Sequence, residues 1–151
     1  ADKVMVMDAD NLVYPNALRV LANALDDDPG ASFAYCILEE FGLRTGLRST
    51  MGWHVPWLCE ANYIHAQAMV RHSAWERHGG YEGGTAVVFG WEDWEFWLRI
   101  ASVGGHGTHV PRILGRYRTQ ETSMLSTTNL FGDLMIEEIR ALHPSLPWPR
   151  L

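Results

Sequence analysis

Two acidic clusters are the parts of this sequence whose residue types and spacing best suit catalysis. Asp8 and Asp10 form an Asp-Ala-Asp-Asn stretch directly after an apolar run, and Glu92 and Asp93 follow much later in a Gly-Trp-Glu-Asp-Trp stretch. Two carboxylates separated by one residue on a turn can bind one hard divalent cation together. A carboxylate at the start of a helix can serve as a general base or as a metal ligand. We therefore expect chemistry at both clusters.

The second cluster opens a predicted helix over residues 90–101. Glu92, Asp93 and Glu95 precede or begin this helix, where unpaired backbone N–H groups and the positive end of the helix dipole favour negative charge. We therefore expect these carboxylates to stay ionised. The alternative is a capped helix whose acidic first turn is only solvated. Its apolar face follows the i, i+3, i+4, i+7 spacing that predicts burial, at Trp94, Trp97, Leu98 and Ala101.

The first cluster follows a predicted strand over residues 3–7. This strand is apolar on both faces, so we expect it inside a sheet with partner strands on each side. Ligands of open α/β sheets bind just beyond the carboxyl ends of such strands. The alternative is a turn in which Asp10 or Asn11 caps the next helix. That helix ends by residues 26–30 and has four residues in its inward stripe, Leu18, Leu21, Ala22 and Leu25.

The middle of the chain predicts a strand and a long loop. Residues 31–38 form the strand, with Phe33, Tyr35 and Ile37 on one face. Residues 42–57 contain several glycines and no clean period, so they predict a long loop, and such loops in compact domains tend to be functional. The aromatic residues in this loop could stack on a ligand or pack on one another; they are Trp53, His54 and Trp57.

The later part of the chain alternates short helices and strands. Residues 61–69 predict an extended segment and residues 70–78 a short helix, which Gly79 or Gly80 ends in a left-handed cap. Two short strands flank Pro111, over residues 106–110 and 113–117. A final helix spans residues 130–142, and its predicted inward residues are Leu134, Met135, Ile139 and Leu142. We interpret residues 1–143 as one domain and the proline-rich residues 144–151 as a tail.

Composition excludes several functional classes. The chain has 151 residues, a formal charge of −6 and Lys3 as its only lysine. It therefore lacks the basic patch that binds nucleic acid and the polybasic run that holds a membrane surface. No apolar run reaches the roughly 18 residues of a membrane span, and no signal peptide opens the chain. The sequence begins without Met, directly in an apolar strand, which predicts a piece of a larger protein.

Two cysteines are too few for a disulfide framework, so we expect Cys36 and Cys59 to be buried free thiols of a reducing compartment. A zinc site formed by both cysteines with His54 and His65 is conceivable. The spacing of these four residues matches no compact zinc-finger pattern. Free thiols are therefore the favoured interpretation.

Four motifs in this order resemble the family 2 glycosyltransferases, which have the GT-A fold. Members of this family have an apolar strand ending in Asp-x-Asp, then a Gly-Gly-aromatic-acidic turn. A Gly-x-Glu-Asp helix start with an arginine later in the helix follows, and then a strand carrying Tyr-Arg. The matching segments are residues 4–11, 78–82, 90–99 and 117–118. The resemblance covers nearly the whole chain and implies an α/β fold, with a mixed sheet flanked by helices, that lacks its N-terminal half.

The resemblance implies inverting, metal-dependent transfer of a sugar from a nucleotide-activated donor to an acceptor hydroxyl. Asp10 would coordinate Mn²⁺ or Mg²⁺ on the donor diphosphate, and Asp8 would support the nucleotide or the metal. Asp93 would be the general base that deprotonates the acceptor, with Glu92 orienting the acceptor or tuning the base. The acceptor would be a saccharide, a lipid-linked acceptor or another hydroxyl compound, and the enzyme would work in the cytoplasm or on the cytoplasmic membrane face.

Five further residues are assigned to donor or acceptor binding by the same resemblance. Gly79 and Gly80 would allow close approach of the substrates, and Trp91 would lie beside them. Arg116 and Arg118 would reach the pyrophosphate. The alternative for both arginines is a surface ion pair with a glutamate, either Glu82 or Glu121.

The chain also departs from the family pattern. Residues 119–123 contain no histidine that could help to hold the metal, and the Gln-x-x-Arg-Trp signature of processive synthases is absent, which predicts a single-addition enzyme. The missing half would carry part of the donor pocket. We therefore expect the parent protein to be active and this chain alone to be inactive, and we expect self-association through the exposed sheet edge.

Two other functions fit parts of the sequence. A haloacid-dehalogenase-like phosphatase also begins with a strand and Asp-x-Asp, but it needs a later phosphate-binding cation, and the Gly-Trp-Glu-Asp helix has no role in it. A binding domain could keep the glycosyltransferase fold without turnover. Neither alternative accounts for both acidic clusters as a catalytic pair.

Overall fold

The computed structural model describes residues 1–81, 90–121 and 132–149. The chain has a mixed α/β architecture in which a curled sheet is flanked by helices. The strands of the described residues are β1 (Lys3–Met5), β2 (Leu12–Val13), β3 (Phe33–Gly42), β4 (Gly46–Arg48), β5 (Met69–Arg71) and β6 (Gly107–Thr119). The helices are α1 (Ala17–Asp27), α2 (Val55–Glu60), α3 (His72–Arg77), α4 (Glu92–Ser102) and α5 (Gly132–Leu142).

The sheet has the strand order β1-β5-β3-β6-β2, and β4 pairs with the far end of β3. Strands β3 and β6 run parallel, and the other pairs are antiparallel. This confirms the predicted mixed sheet with flanking helices at the level of α/β architecture.

The long central strand β3 divides the core into two clusters, because its side chains alternate between the two faces of the sheet. Phe33 and Tyr35 pack with residues of α2, α3, α4 and α5. Ala34, Cys36 and Leu38 pack with α1 on the opposite face. The two cysteines lie in different clusters as buried free thiols, so the alternative zinc set is not assembled.

Helix α4 is the element that the sequence predicts best. All four residues of its predicted apolar face are buried, and Gly104, with φ of +77°, follows its end. Trp97 stacks on Phe33 with ring centroids 4.1 Å apart. The indole N–H groups of Trp94 and Trp97 donate to the carbonyls of Leu58 and Ile64, at 2.7 Å and 3.2 Å. The helix is therefore fixed to the sheet, to α2 and to the segment that follows α2.

Glu95, the third carboxylate in the first turn of α4, faces the protein interior. Its side chain is 7% exposed and accepts hydrogen bonds from Arg99 and from His143 Nε2, the latter at 2.9 Å. Burial alone would raise the pKa of this carboxyl, but the bonds from His143 and Arg99 lower it. The predicted ionised state of Glu95 is therefore supported by buried partners.

Two predicted strands differ from the observed ones. β1 lies at the end of the strand order and pairs only with β5 among the described residues, so the predicted pairing on both sides is wrong for these residues. The two strands predicted around Pro111 are one strand, β6. The register passes directly from Val110 opposite Cys36 to Ile113 opposite Ile37, so Pro111 falls in a bulge where its missing N–H costs no ladder bond.

The predicted long loop over residues 42–57 is wrong in part, because it is interrupted by β4 and its last residues begin α2. Residues Leu38 to Glu40 of β3 pair with β4, and α2 follows after a short connection. Gly42, with φ of +99°, ends β3 where a Cβ atom would stand 2.5 Å from the carbonyl oxygen of Thr119. A glycine is needed there, and it marks a hairpin bend.

The observed helices also correct three details. Asn16 precedes α1 as its N-cap residue and β2 intervenes, so neither Asp10 nor Asn11 caps this helix. Leu18 is 54% exposed, while Ala17, Leu21 and Leu25 are buried. In α5, Met135 and Ile139 are buried as predicted, but two predicted inward residues are exposed, Leu134 at 65% and Leu142 at 48%. Residues 130 and 131 of the predicted helix lie outside the described residues.

The segment after α5 packs on the core. Leu146 is 9% exposed within the large core cluster, and Trp148 packs against that cluster. The indole of Trp148 donates to the carbonyl of His143 at 2.8 Å. Residues 144–149, assigned to the tail in the sequence, therefore cover part of the domain.

The orientation of α5 predicts that two substitutions in this helix change the free energy of unfolding by different amounts. Ile139→Ala should lower the free energy of unfolding by about 2–4 kcal/mol, because it opens a cavity in a core position that is 1% exposed. Leu134→Ala, at an exposed position of the same helix, should change it by less than about 0.5 kcal/mol. Urea unfolding of both variants measures these costs, and equal costs would contradict the observed helix orientation.

Candidate active site

The two acidic clusters line one cleft of about 560 Å³. Asp8 and Asp10 reach it from the turn after β1, and Glu92 and Asp93 reach it from the start of α4. Residues from the end of β6, from the end of β4, from the α2–β5 segment and from just before α4 complete the lining: Arg48, Ser49, Asn62, Tyr63, Ile64, His65, Ala66, Gly90, Trp91, Tyr117, Arg118 and Gln120. Thus six of the nine residues proposed from the sequence lie together, namely Asp8, Asp10, Trp91, Glu92, Asp93 and Arg118.

Asn11 fixes the turn that carries Asp8 and Asp10. It is only 3% exposed. Its side-chain amide donates to Asp8 Oδ2 at 2.9 Å, and its amide oxygen accepts the backbone N–H of Arg118 at 3.0 Å. The turn is thereby tied to the end of β6. From the sequence, Asn11 is a possible helix cap and the end of the Asp-x-Asp motif, but asparagine is also a typical turn-forming residue, and that is its role here.

Asp10 is oriented by two side chains from the end of β6. Gln120 Nε2 donates to Asp10 Oδ2 at 2.6 Å. Arg118 Nε lies 3.9 Å from the same oxygen and donates to the carbonyl of Asp10 at 3.4 Å. Gln120 stands in the stretch where the sequence lacks the family histidine, and it was not singled out as a functional residue.

Among the described residues, no three His, Cys, Asp or Glu side chains are grouped as a metal-binding set. Four carboxylates line the cleft, and two of them, Asp8 and Asp10, stand on the same turn. Mg²⁺ is commonly held by one or two carboxylates together with phosphate oxygens of a substrate. The donor set thus fits a cation shared with a phosphate-bearing ligand rather than a metal enclosed by protein.

The pKa of Asp8 is raised above its ordinary value. Partial burial is the largest cause, and the negative charges of Asp10 and Glu92 add to it. Both neighbouring charges would be offset by a cation or by positively charged groups in the cleft.

The Asp93 carboxyl has a pKa raised to about 7. Burial is the main cause, and repulsion from Glu92 and Asp8 contributes, against hydrogen bonds from the Trp94 N–H and Asn62 that lower the pKa. The expectation that the helix start keeps this carboxylate fully ionised is therefore wrong near neutral pH, because burial outweighs the favourable helix end. A carboxyl with a pKa near neutrality can both accept and release a proton there.

Glu92 and Trp91 also contribute to this wall of the cleft. Glu92 turns back on its own helix start, where its Oε2 accepts the N–H of Gly90 at 2.7 Å. Trp91 packs edge-on against Trp94 with ring centroids 5.3 Å apart. These contacts hold the residues on both sides of Asp93.

Arg48 and Arg118 line the cleft, but Arg116 does not. Arg116 pairs with Glu39 at 3.1 Å and lies over the ring of Phe41. The surface ion pair considered for Arg116 is thus present, with Glu39 instead of Glu82 or Glu121. Arg48 lies with its guanidinium carbon 4.3 Å from the ring centroid of Tyr117. It was missed because it stands in β4, which the sequence predicted as loop.

His65 is a neutral imidazole beside Asp8. Burial, with a smaller effect of Arg48, lowers its pKa to about 4. Its Nδ1 accepts the N–H of Gln67 at 3.0 Å, so the ring hydrogen is on Nε2, which lies 3.7 Å from Asp8 Oδ2. From the sequence, the only role suggested for His65 is that of a zinc ligand.

Gly79 and Gly80 do not line the described cleft. Both adopt left-handed conformations after α3, with φ of +75° and +62°, which confirms the predicted helix end. A Cβ atom on Gly80 would lie 2.6 Å from the ring of Trp75. The family turn continues into residue 82, which lies outside the described residues.

The aromatic residues of the predicted loop are also outside the lining of the cleft. Trp53 packs on Phe33 with ring centroids 5.6 Å apart. His54 caps α2 by accepting the N–H of Trp57 at 3.3 Å, and the two rings lie 4.3 Å apart. Of the two roles left open by the sequence, the structure shows packing of these residues on one another and on the core.

Comparison with known proteins identifies no relative: no family model and no curated protein matches this sequence. Within the described residues, no helix has the length and apolar character needed to cross a lipid bilayer. The chemistry of the cleft must therefore be argued from its own residues.

The raised pKa of Asp93 predicts that this residue costs stability at alkaline pH. Its pKa is about 7 in the folded chain and about 4 in an unfolded one. Between these values the folded state binds more protons, so the free energy of unfolding falls as the pH rises. The full difference of three units would correspond to about 4 kcal/mol, but Asp93 is only partly buried and solvent in the cleft screens it. Asp93→Asn should therefore be more stable than the natural chain by about 1–2 kcal/mol at pH 8 and nearly equal below about pH 4.

Urea unfolding across this pH range, without divalent cations, tests the prediction. Asp2→Asn, the same substitution at an exposed position, provides the control and should show no such pH-dependent gain. An Asp93→Asn gain that stays constant with pH would contradict the assignment of the titration to Asp93.

Proposed function

We propose that this chain provides the catalytic residues of an inverting, metal-dependent glycosyltransferase with the GT-A fold, which adds one sugar from a nucleoside-diphosphate donor to an acceptor hydroxyl. One observation carries the proposal. The Asp8–Asp10 turn and Asp93, far apart in the sequence, lie in the same cleft, and the pKa of Asp93 is near neutrality. The family resemblance assigns the metal site and the base to these same residues.

Asp93 acts as the base in the proposed reaction. Its carboxylate takes the proton of the acceptor hydroxyl while the acceptor oxygen forms a bond to the anomeric carbon of the donor sugar. The bond from that carbon to the diphosphate oxygen breaks, and its electron pair leaves with the diphosphate. Because attack and departure occur on opposite sides of the anomeric carbon, the configuration inverts. A base with a pKa near the working pH is the most effective.

Asp8 and Asp10 would hold Mn²⁺ or Mg²⁺ against the donor diphosphate. When bound, the cation neutralises the charge that develops on the leaving group. Gln120 and Arg118 orient the Asp10 carboxylate through the contacts described above. The donor must enter beside the turn, since these carboxylates lie at the surface of the cleft.

Arg48 and Arg118 provide the positive charge for the phosphates. Both arginines line the cleft, together with the acidic residues. Arginine forms charge-assisted hydrogen bonds with phosphate oxygens. Arg48 takes the role that the sequence gave to Arg116, because Arg48 lines the cleft and Arg116 does not. Both arginines also form an ion pair, Arg48 with Glu40 at 2.5 Å and Arg116 with Glu39 at 3.1 Å.

The phosphatase alternative is less favoured by the cleft. Its scheme needs a cation that binds phosphate beside the first aspartate. Lys3 instead pairs with Asp26 at 2.6 Å on the surface. Arg48 could supply the charge, but the phosphatase scheme gives no role to Asp93. Turnover distinguishes the transferase from a binding domain with the same fold.

Removing Asp93 should abolish transfer and spare nucleotide binding. Asp93→Asn keeps the size of the side chain but cannot accept the proton, so the rate of sugar transfer should fall by about 10²–10⁴-fold. The full-length protein, incubated with UDP-, GDP- and dTDP-sugars and Mn²⁺, provides the assay, and calorimetry provides the binding control. Near-normal turnover of the variant would exclude Asp93 as the base.

Removing Asp10 should weaken nucleotide binding only in the presence of the cation. Calorimetric titration with UDP, GDP and dTDP, each with and without Mn²⁺, should show a metal-dependent affinity that Asp10→Ala reduces by at least about tenfold. Asp27→Ala removes an exposed carboxylate at the end of α1 and should leave binding unchanged. Equal affinity of the Asp10→Ala variant with Mn²⁺ would place the cation elsewhere.

A further inference from the structure

The side chain of Asn62 connects the proposed base to the protein core. This residue lies in the segment between α2 and β5, and its Nδ2 donates to Asp93 Oδ1 at 3.1 Å. Its own oxygen accepts the backbone N–H of Ile64 at 3.2 Å. Neither the sequence motifs nor the proposed reaction assigns a role to Asn62.

The two hydrogen bonds determine which way the amide faces. The N–H of Ile64 can only donate, and an ionised Asp93 carboxylate can only accept. The amide therefore satisfies both partners in a single orientation, with its oxygen on Ile64 and its nitrogen on Asp93. A rotated amide would place its oxygen against the carboxylate and lose both bonds.

The anchor of Asn62 is attached to the same helix that carries the base. Ile64 is completely buried, and its carbonyl accepts the indole N–H of Trp97 at 3.2 Å. Trp97 follows Asp93 by four residues, so the two side chains lie on the same face of α4. Asn62, Ile64, Trp97 and Asp93 thus form a closed set of contacts that fixes the distance from the segment to the helix.

The two oxygens of the Asp93 carboxyl have different surroundings. Oδ1 accepts both the N–H of Trp94, at 2.7 Å, and the amide of Asn62. In the described part of the chain no donor contacts Oδ2. Since Asp93 lines the cleft, Oδ2 is the oxygen available to take a proton from a bound acceptor.

We propose that Asn62 is the positioning residue of the base: it holds Oδ1 of Asp93 and leaves Oδ2 for the acceptor hydroxyl. This inference rests on the proposed function for its catalytic meaning. The contact has a second consequence, since a hydrogen bond to the charged form of a carboxyl favours ionisation.

The carboxylates near Asp93 affect its pKa in the direction opposite to Asn62. Glu92 and Asp8 place negative charge near it and raise its pKa, while the Tyr81 hydroxyl, itself in the field of these carboxylates, is neutral because its pKa is raised by burial. Asn62 and the Trp94 N–H are the groups that lower the pKa of Asp93. Loss of Asn62 should therefore raise the pKa, and more strongly if a carboxylate replaces the amide.

The test is the titration of the Asp93 carboxyl carbon by NMR in the full chain labelled with ¹³C-aspartate, with the resonance assigned by its loss in Asp93→Asn. Asn62→Ala should raise the pKa by about one unit, and Asn62→Asp should raise it further. Asn23→Asp makes the same change at an exposed position of α1 and should leave the titration unmoved. An unchanged pKa in both Asn62 variants, with circular dichroism showing that they fold, would overturn the proposal.

The pH profile of transfer separates this inference from the proposed function. If both hold, the acidic limb of kcat/KM moves upward by the same amount as the NMR titration. If the titration moves but no nucleotide sugar is turned over by the full-length protein, Asn62 positions Asp93 and glycosyl transfer is contradicted. If transfer occurs and the acidic limb of the kcat/KM profile does not move in the Asn62 variants, Asn62 is not the positioning residue.

Discussion

The docking of α4 on the sheet is the constraint on which the cleft depends. Asp93 is carried by the first turn of this helix, and Asp8 by a turn beside an edge strand, so their separation is set by packing far from either carboxylate. The Trp97–Phe33 stack fixes the helix against β3. The indole bonds of Trp94 and Trp97 then fix its rotation and its depth relative to α2 and the α2–β5 segment. A helix held only by apolar contacts could slide, whereas two directional bonds in the core specify one position.

The cleft concentrates negative charge and offsets it only in part. Asp8, Asp10, Glu92 and Asp93 share it with Arg48 and Arg118, and His65, being neutral, adds no positive charge near neutral pH. Burial is the main cause of the raised pKa values of Asp8 and Asp93, and repulsion between the carboxylates adds to it. A divalent cation would compensate the charge of Asp8 and Asp10, and a diphosphate would compensate that of Arg48 and Arg118. Burial, with a contribution from the neighbouring carboxylates, raises the pKa of Asp93 to about 7, a value suited to proton transfer.

The sequence predicts those features that depend on local patterns. The apolar period of α4, the glycine cap after α3 and the alternation in β3 can be read from neighbouring residues. Features set by long-range pairing could not be predicted in this way. Arg48 enters the cleft because β4 pairs with β3, and Arg116 is withdrawn because Glu39 lies beside it on the sheet. The bond from Asn62 and the pKa of Asp93 depend on burial and on contacts between segments distant in sequence, so the helix dipole alone gave the wrong expectation.

The central claim is that a cation held at the Asp8–Asp10 turn lies in the same cleft as the α4 start. Paramagnetic broadening by Mn²⁺ tests it most directly. Mn²⁺ is added in substoichiometric amounts with a nucleoside diphosphate, and the indole N–H signals are followed by NMR. Trp91, which lines the cleft, should broaden first, before Trp148, which packs beside α5, and Asp10→Ala should remove the effect. Equal broadening of the two indoles, or broadening that persists in Asp10→Ala, would contradict the account.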